Sequence, residues 1–243
     1  MKTEPEKIDV LAIGVHPDDV ELSCAGTLEM LRRSGKKTGI LDLTKGEMGT
    51  RGNEEIRMKE SMQAASVLGV EFRVQLDLPD AKFEINSESI EKIIRVIRAS
   101  APDIILCNAP HDRHPDHGKA SELVRQAAFY SGLSKWKTFW KNKEQLPHRP
   151  VNLFYYIQDY FIQPHIVVDI TQAIEVKMNA IRAYSSQFYN PLSREPETPI
   201  SGKDFMEVVM GKMRIMGRYI QKEFAEGFIS PRPVGVKNLF ELY

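Results

Sequence analysis

Two short segments concentrate the side chains that bind divalent cations and move protons: HPDD at 16–19 and HDRHPDH at 111–117. Together they hold four of the six histidines in the chain, and four aspartates. Neutral imidazole and carboxylate are ordinary zinc ligands, and a catalytic site keeps three of them while leaving a fourth position for water. His16 and Asp19 are three residues apart, as are His114 and His117, a spacing that turns both members of a pair to one side where a loop enters a helix. Were all four to coordinate, the site would be closed and structural. Hydrolytic chemistry therefore requires at least one of them to stay out of the coordination shell and serve as acid or base. The two segments are distant in sequence, so this chemistry demands a fold that brings them together.

Such a fold is legible in the surrounding pattern. Residues 8–15, IDVLAIGV, form an apolar, β-branched run that stops abruptly at HPDD, as a buried strand entering a loop would. Apolar positions then recur at helical spacing from Leu22 to Leu31, Gly35 offers a stop, and a second strand is predicted at 38–43. The alternation continues with helices at 54–68, 88–99 and 117–130, and with strands at 72–76 and 103–107. After a Trp-, Lys- and Pro-rich connection ending at Pro150 come strands at 153–158 and 166–169 and helices at 174–185 and 205–224, the last two separated by the loop YNPLSREPETPISG. Strands alternating with helices predict an α/β fold, a mostly parallel sheet with helices on both faces, in a single domain over 1–243. In open sheets of this kind ligands bind beyond the carboxyl ends of the strands, where both histidine-rich segments fall.

Composition removes several function classes. Lys plus Arg and Asp plus Glu both total 33, so nothing draws the chain toward nucleic acid or an anionic membrane. The polar start MKTEPEKIDV is unlike a signal peptide, and no apolar run approaches the roughly 20 residues of a membrane-spanning helix, so the cytoplasm is the expected location. Cys24 and Cys107 read as reduced, buried residues rather than a disulfide framework.

VHPDDVELSCAGT and HDRHPDHGKA resemble the two signature segments of the PIG-L/LmbE family of zinc N-deacetylases, over essentially the whole chain. GEMGTRGNEEIR, YSSQF and FAEGF resemble the bacillithiol-biosynthesis deacetylase branch of that family. The resemblance implies a Rossmann-like fold and a homo-oligomer, a hexamer in the family. It also implies hydrolysis of the acetamide of N-acetylglucosaminyl malate, with another amino sugar such as a chitooligosaccharide as the alternative substrate. It assigns Zn2+ to His16, Asp19 and His117, a ligand set that also suits Fe2+ or another divalent ion. Asp18 becomes the general base, His114 stabilises the oxyanion or protonates the leaving amine, and Asp116 orients His114. Arg57 matches an active-site arginine of the branch and Arg149 one lent by a neighbouring subunit, both suited to clamp the malate carboxylates. Arg113 and Glu47 are further candidates, for the anion and for sugar hydroxyls. Relatives place a Tyr near the positions of Asp204 and Phe205, where none stands here, and Tyr184 and Tyr189 are the candidates to replace it.

Simpler readings compete. His148 and His165 are expected to be structural, and His111 could serve either purpose. Capping aspartates at two helix starts would explain HPDD or HPDH singly but not their joint occurrence. The aromatic FYYIQDYF lacks a basic groove and reads as a strand packed in a core or interface. A nucleotide-binding module is disfavoured because VHPDDVEL occupies the first strand-to-helix turn, where a G-x-G-x-x-G loop belongs.

Overall fold

The computed structural model describes residues 2–242. In chain order β1 (Val10–Gly14) leads through α1 (Asp19–Ser23) and α2 (Ala25–Arg33) to β2 (Thr38–Asp42), and α3 (Glu54–Leu68) leads to β3 (Phe72–Gln75). Then come α4 (Ser87–Ser100), β4 (Ile104–Cys107), α5 (Pro115–Tyr130) and a small hairpin of β5 (Phe139–Trp140) and β6 (Lys143–Glu144). The chain continues through β7 (Asn152–Tyr156), β8 (Ile166–Asp169), α6 (Ile174–Arg182), α7 (Phe205–Tyr219) and β9 (Ala225–Ile229).

Seven strands form the central sheet in the order β3-β2-β1-β4-β7-β9-β8. The first five are parallel, while β9 runs antiparallel to both β7 and β8. Residues of β1 alternate between two apolar clusters: Val10 and Ala12 pack with α2, α3, α6 and α7, whereas Leu11 and Ile13 pack with α4 and α5. Burial on both faces is why β1 reads as one unbroken apolar run. From β1 the chain steps outward to β2 and β3 and then crosses back to β4 on the other side. That reversal opens a crevice beyond the carboxyl ends of β1 and β4, and the two histidine-rich loops occupy it.

The predicted class, a mostly parallel sheet covered on both faces, is the observed one, with departures in detail, among them the β5–β6 hairpin inside the connection that ends at Pro150. The helix expected at 22–31 starts earlier, at Asp19, and breaks at Cys24, whose φ of −137° is not helical. The break presents a fresh helix start at which the N–H groups of Gly26 and Thr27 donate to the Glu226 carboxylate at 2.9 and 2.7 Å, a favourable place for negative charge. The final helix ends at Tyr219 rather than 224, and AEGFI forms β9. This strand contains a glycine and a buried Glu, and its partners β7 and β8 are remote in sequence, so no local pattern marked it. Cys24 and Cys107 are buried and unbridged. Among the described residues no helix is long and apolar enough to cross a membrane.

Candidate active site

The loop after β1 turns sharply at Asp18, which adopts φ 116° and ψ −23°, a region costly for a residue with a Cβ, by about 1–3 kcal/mol. Arg57 of α3, itself buried, braces this turn. Its Nη2 donates to Pro17 O at 2.7 Å and lies 3.4 Å from Asp18 Oδ2, and its Nη1 donates to Gly46 O at 3.0 Å. Gly46, at φ 67°, is needed for this contact, since a Cβ there would stand 1.9 Å from Nη1. On the other loop His114 caps α5, its Nδ1 accepting from the Asp116 N–H at 3.2 Å, with Pro115 at the first helical position.

The two loops meet at Asp19. One of its carboxylate oxygens lies 3.7 Å from His16 Nδ1 and the other 3.2 Å from His117 Nε2. Asp19 is held in place by donors from His16 N, Asn108 Nδ2 and Gln158 Nε2 at 2.9–3.0 Å. The outward nitrogens of both rings face carboxylates. His16 Nε2 lies 3.0 Å from Asp80 Oδ1 and 3.6 Å from Asp116 Oδ2, and His117 Nδ1 is bonded to Asp112. Asp112 is anchored in turn by the N–H groups of Asp159 and Tyr160. Ring donor atoms of His16, His114 and His117 also lie within 4.8 Å of one another.

Burial and mutual charge set the protonation of these groups. Burial pushes the Asp18 carboxyl up to about 7, against the pull of the Arg57 charge. Burial opposes a charge on His16, but the Asp116 and Asp80 carboxylates outweigh it and carry the imidazole up to about 10. His117, likewise opposed by burial, is carried to about 9 by the Asp19 charge and the Asp112 hydrogen bond. Asp19 is held well below the usual carboxylate range, against its own burial, by the His117 and His16 charges. His114 is pushed down by burial and by its two cationic neighbours.

The cluster is thus a well for positive charge, and its donor set fits a divalent ion. Two sets of donor atoms lie within 4.8 Å of one another, His16 with His114 and His117, and His16 with Asp80 and Asp116, and Asp19 reaches the two imidazoles through separate oxygens at 3.7 and 3.2 Å. Both rings turn one nitrogen toward Asp19 and the other toward a second carboxylate, the arrangement usual for histidines that bind metal.

Comparison with known proteins places this arrangement. The family profile described as "PIG-L: GlcNAc-PI de-N-acetylase" matches residues 11–128. The diacetylchitobiose deacetylase of Thermococcus kodakarensis is 34% identical over 194 residues, covering 74% of this chain and 70% of that one. The chain belongs to the PIG-L family. The conserved protein TT1542 of Thermus thermophilus superposes with a TM-score of 0.84 at 35% identity, over 96% of this chain and 98% of that one. A Bacillus anthracis protein named "Probable N-acetyl-alpha-D-glucosaminyl L-malate deacetylase 2" is 26% identical over 79% of this chain and 88% of its own.

In this PIG-L chain the cluster lies in a cavity of about 620 Å³, lined by His16, Asp18, Asp19, Arg57, His114 and His117 among others, with Arg113 at its mouth. The Asp116 carboxylate sits behind His16 and accepts from Ala81 N at 3.0 Å, so its tie to His114 runs through its backbone N–H. Glu47 stands outside the cavity lining, its Oε1 accepting from Asp80 N at 2.7 Å. Arg113 is paired with Asp159. Arg149 lies at the end of α5, stacked on Phe129 and bonded to Phe129 O, away from the cavity of its own chain. Neither replacement tyrosine lines the cavity: Tyr184 is fully buried and donates to Glu21 Oε1, and Tyr189 is on the surface. Tyr160 is at the cavity instead, against His111. His148 bonds Pro102 O, and His165 pairs with Ser230. Asp80, Asp112, Asn108 and Gln158 escaped the sequence reading. Three of them follow strands β3, β4 and β7 at the catalytic edge, and Asp112 lies inside HDRHPDH itself.

Proposed function

We propose that this chain is a zinc-dependent N-deacetylase that hydrolyses the acetamide of a small N-acetylglucosamine conjugate. The observation that carries this reading is the convergence of His16 Nδ1, the Asp19 carboxylate and His117 Nε2, with Asp18 and His114 beside them. His16, Asp19 and His117 would hold the ion, zinc or another divalent metal such as Fe2+. When bound, the metal supplies a Lewis acid that polarises an acyl oxygen and lowers the pKa of water.

The remaining steps belong to side chains. Asp18, with a carboxyl raised to about 7, accepts the proton of the attacking water near neutral pH. Arg57 and the strained turn keep that carboxylate aimed into the cavity. Because His114 Nδ1 accepts the Asp116 N–H, the neutral ring carries its proton on Nε2, ready for the developing oxyanion or the leaving amine. Asp80 and Asp112 fix the tautomers of His16 and His117.

The cations lining the cavity, among the described residues, bear on the substrate. Arg57 is tied to two carbonyls and Asp18, Arg113 and Lys212 to Asp159, and Lys177 to Glu226. Arg57 and Lys177 thus face a carboxylate each, while Arg113 and Lys212 share the single Asp159 carboxylate, so at most one positive charge is left over, which favours a neutral glycan of the diacetylchitobiose kind. Hydrolysis of the malate glycoside, to which the likeness to the bacillithiol branch points, calls for an added cation, and Arg149 of a neighbouring copy in a homo-oligomer would provide it. The same reading has the enzyme at work in the cytoplasm, with neither nucleic acid nor membrane as a partner.

Acetate release from diacetylchitobiose and from N-acetylglucosaminyl malate, measured on chelated and zinc-reloaded protein, tests this. Release that chelation abolishes and zinc restores is expected. Full turnover after exhaustive chelation would overturn the metal assignment, and no release from either sugar would overturn the substrate class.

A further inference from the structure

The cavity does not end at the metal cluster. It continues inward between α1 and α7, over β9, along walls formed by Leu22, Ile157, Phe205, Val209, Met213 and Met216. Phe205, Val209, Met213 and Met216 recur at four, four and three residues, so they share one face of α7. The floor is β9, where Gly227 lets Met216 and Ile157 pack directly onto the strand: a Cβ at that position would lie 2.9 Å from Met216 Sδ and 3.1 Å from Ile157 Cδ1. Beneath it Lys177 and Glu226 are bonded to each other at 2.7 Å. Lys177 also donates to Leu22 O, and Glu226 accepts from Gly26 and Thr27 N–H, so neither has an unmet demand for a polar ligand. Ser23 Oγ is left without a partner, one hydroxyl against six apolar side chains.

Polar residues, by contrast, gather at the mouth: exposed Arg113, Tyr160 and Glu197 with half-buried Asp159. A sugar, with hydroxyls that need partners, suits the mouth; only an apolar group enters the arm without a desolvation cost. Thioether side chains such as Met213 and Met216 adapt to chains of different length. A volume of about 620 Å³ falls within the range that encloses a drug-sized ligand, beyond what an acetamide methyl needs.

We propose that the arm between α1 and α7 receives the acyl chain of the substrate, and that the enzyme accepts N-acyl sugars with chains longer than acetyl. This rests on the deacylase reading given above. Hydrolysis is then the same step on a longer group: water adds its hydroxyl to the acyl carbon, the C–N bond breaks, and the amine leaves with the proton, giving a carboxylic acid and a free amino sugar.

The test uses N-acetyl-, N-butyryl- and N-hexanoylglucosamine. Binding is measured by calorimetry on the metal-stripped full-length chain, and amine release on the zinc-loaded protein. Affinity should rise about fourfold for each methylene buried, and kcat/KM with it. Met213→Trp, with Val209→Phe as a second, smaller obstruction, should flatten the dependence on chain length. Affinities that are flat or fall with length, or a slope unchanged in both variants, overturn the arm. Release from N-acetylglucosamine alone, with longer chains rejected, removes the arm and leaves the deacetylase. A rising binding series without amine release keeps the arm and removes the deacetylase.

Discussion

Asp18, proposed as the general base, combines a carboxyl raised to about 7 with a backbone held at φ 116° by a turn that Arg57 braces. Asp18→Asn keeps the shape and removes the basicity. It should lower kcat by about 10²–10⁴-fold with metal content unchanged, as checked by elemental analysis of the same sample. Asp112 acts one bond further out, and Asp112→Asn should weaken metal affinity or activity by about 10–100-fold, read by competition against a coloured chelator. The clustering of HPDD and HDRHPDH made the centre legible from sequence, because helix capping alone does not account for six chemistry-bearing side chains in two short loops. Asp80, Asn108 and Gln158 were not legible, since each is a lone polar residue just beyond a strand and only the sheet order gathers them. Glu47 and Arg57 stand at motif positions, yet they turn onto Asp80 N and onto the carbonyls of Pro17 and Gly46. What they satisfy is backbone hydrogen bonding, which composition does not display.

At the level of elements, the helices with clear caps were read best. α3 runs over Glu54–Leu68 as expected, with Asn53 accepting the Ile56 N–H at its start and Gly69 in the left-handed region at its end. β9 was invisible because its stability comes from pairing with β7 and β8 and from one ion pair, not from its own pattern. That pair is enclosed, with Lys177 and Glu226 side chains at 0% and 2% exposure. Lys177→Met would leave the Glu226 charge with only the helix N–H groups, and should destabilise the fold by about 3–5 kcal/mol in urea titrations. The double variant with Glu226→Gln should recover part of that loss, since the stranded charge is gone.

For the molecule as a whole, a bound ion links chemistry to stability. Under the proposed zinc assignment, ion at about 100 times its Kd would add about 2.7 kcal/mol. Chelation should therefore lower Tm by roughly 5–10 °C, and scanning calorimetry before and after reloading checks it. Arg149, distant from its own cavity, bears on assembly. If a neighbouring copy lends it, mixing the two inactive variants Asp18→Asn and Arg149→Ala should restore turnover of the malate glycoside through hybrid oligomers. Mixtures as inactive as their components would confine each site to one chain.

The Glu226 carboxylate also dictates an order of events at birth. Its two amide partners are 200 and 199 residues upstream, so they leave the ribosome long before it does. At 5–20 residues per second, the start of α2 waits about 10–40 s for its cap. Lys177 emerges only 49 residues ahead of Glu226 and has no counter-ion to bury against until that strand follows, so the start of α2 stays uncapped until the last strand is threaded between its neighbours.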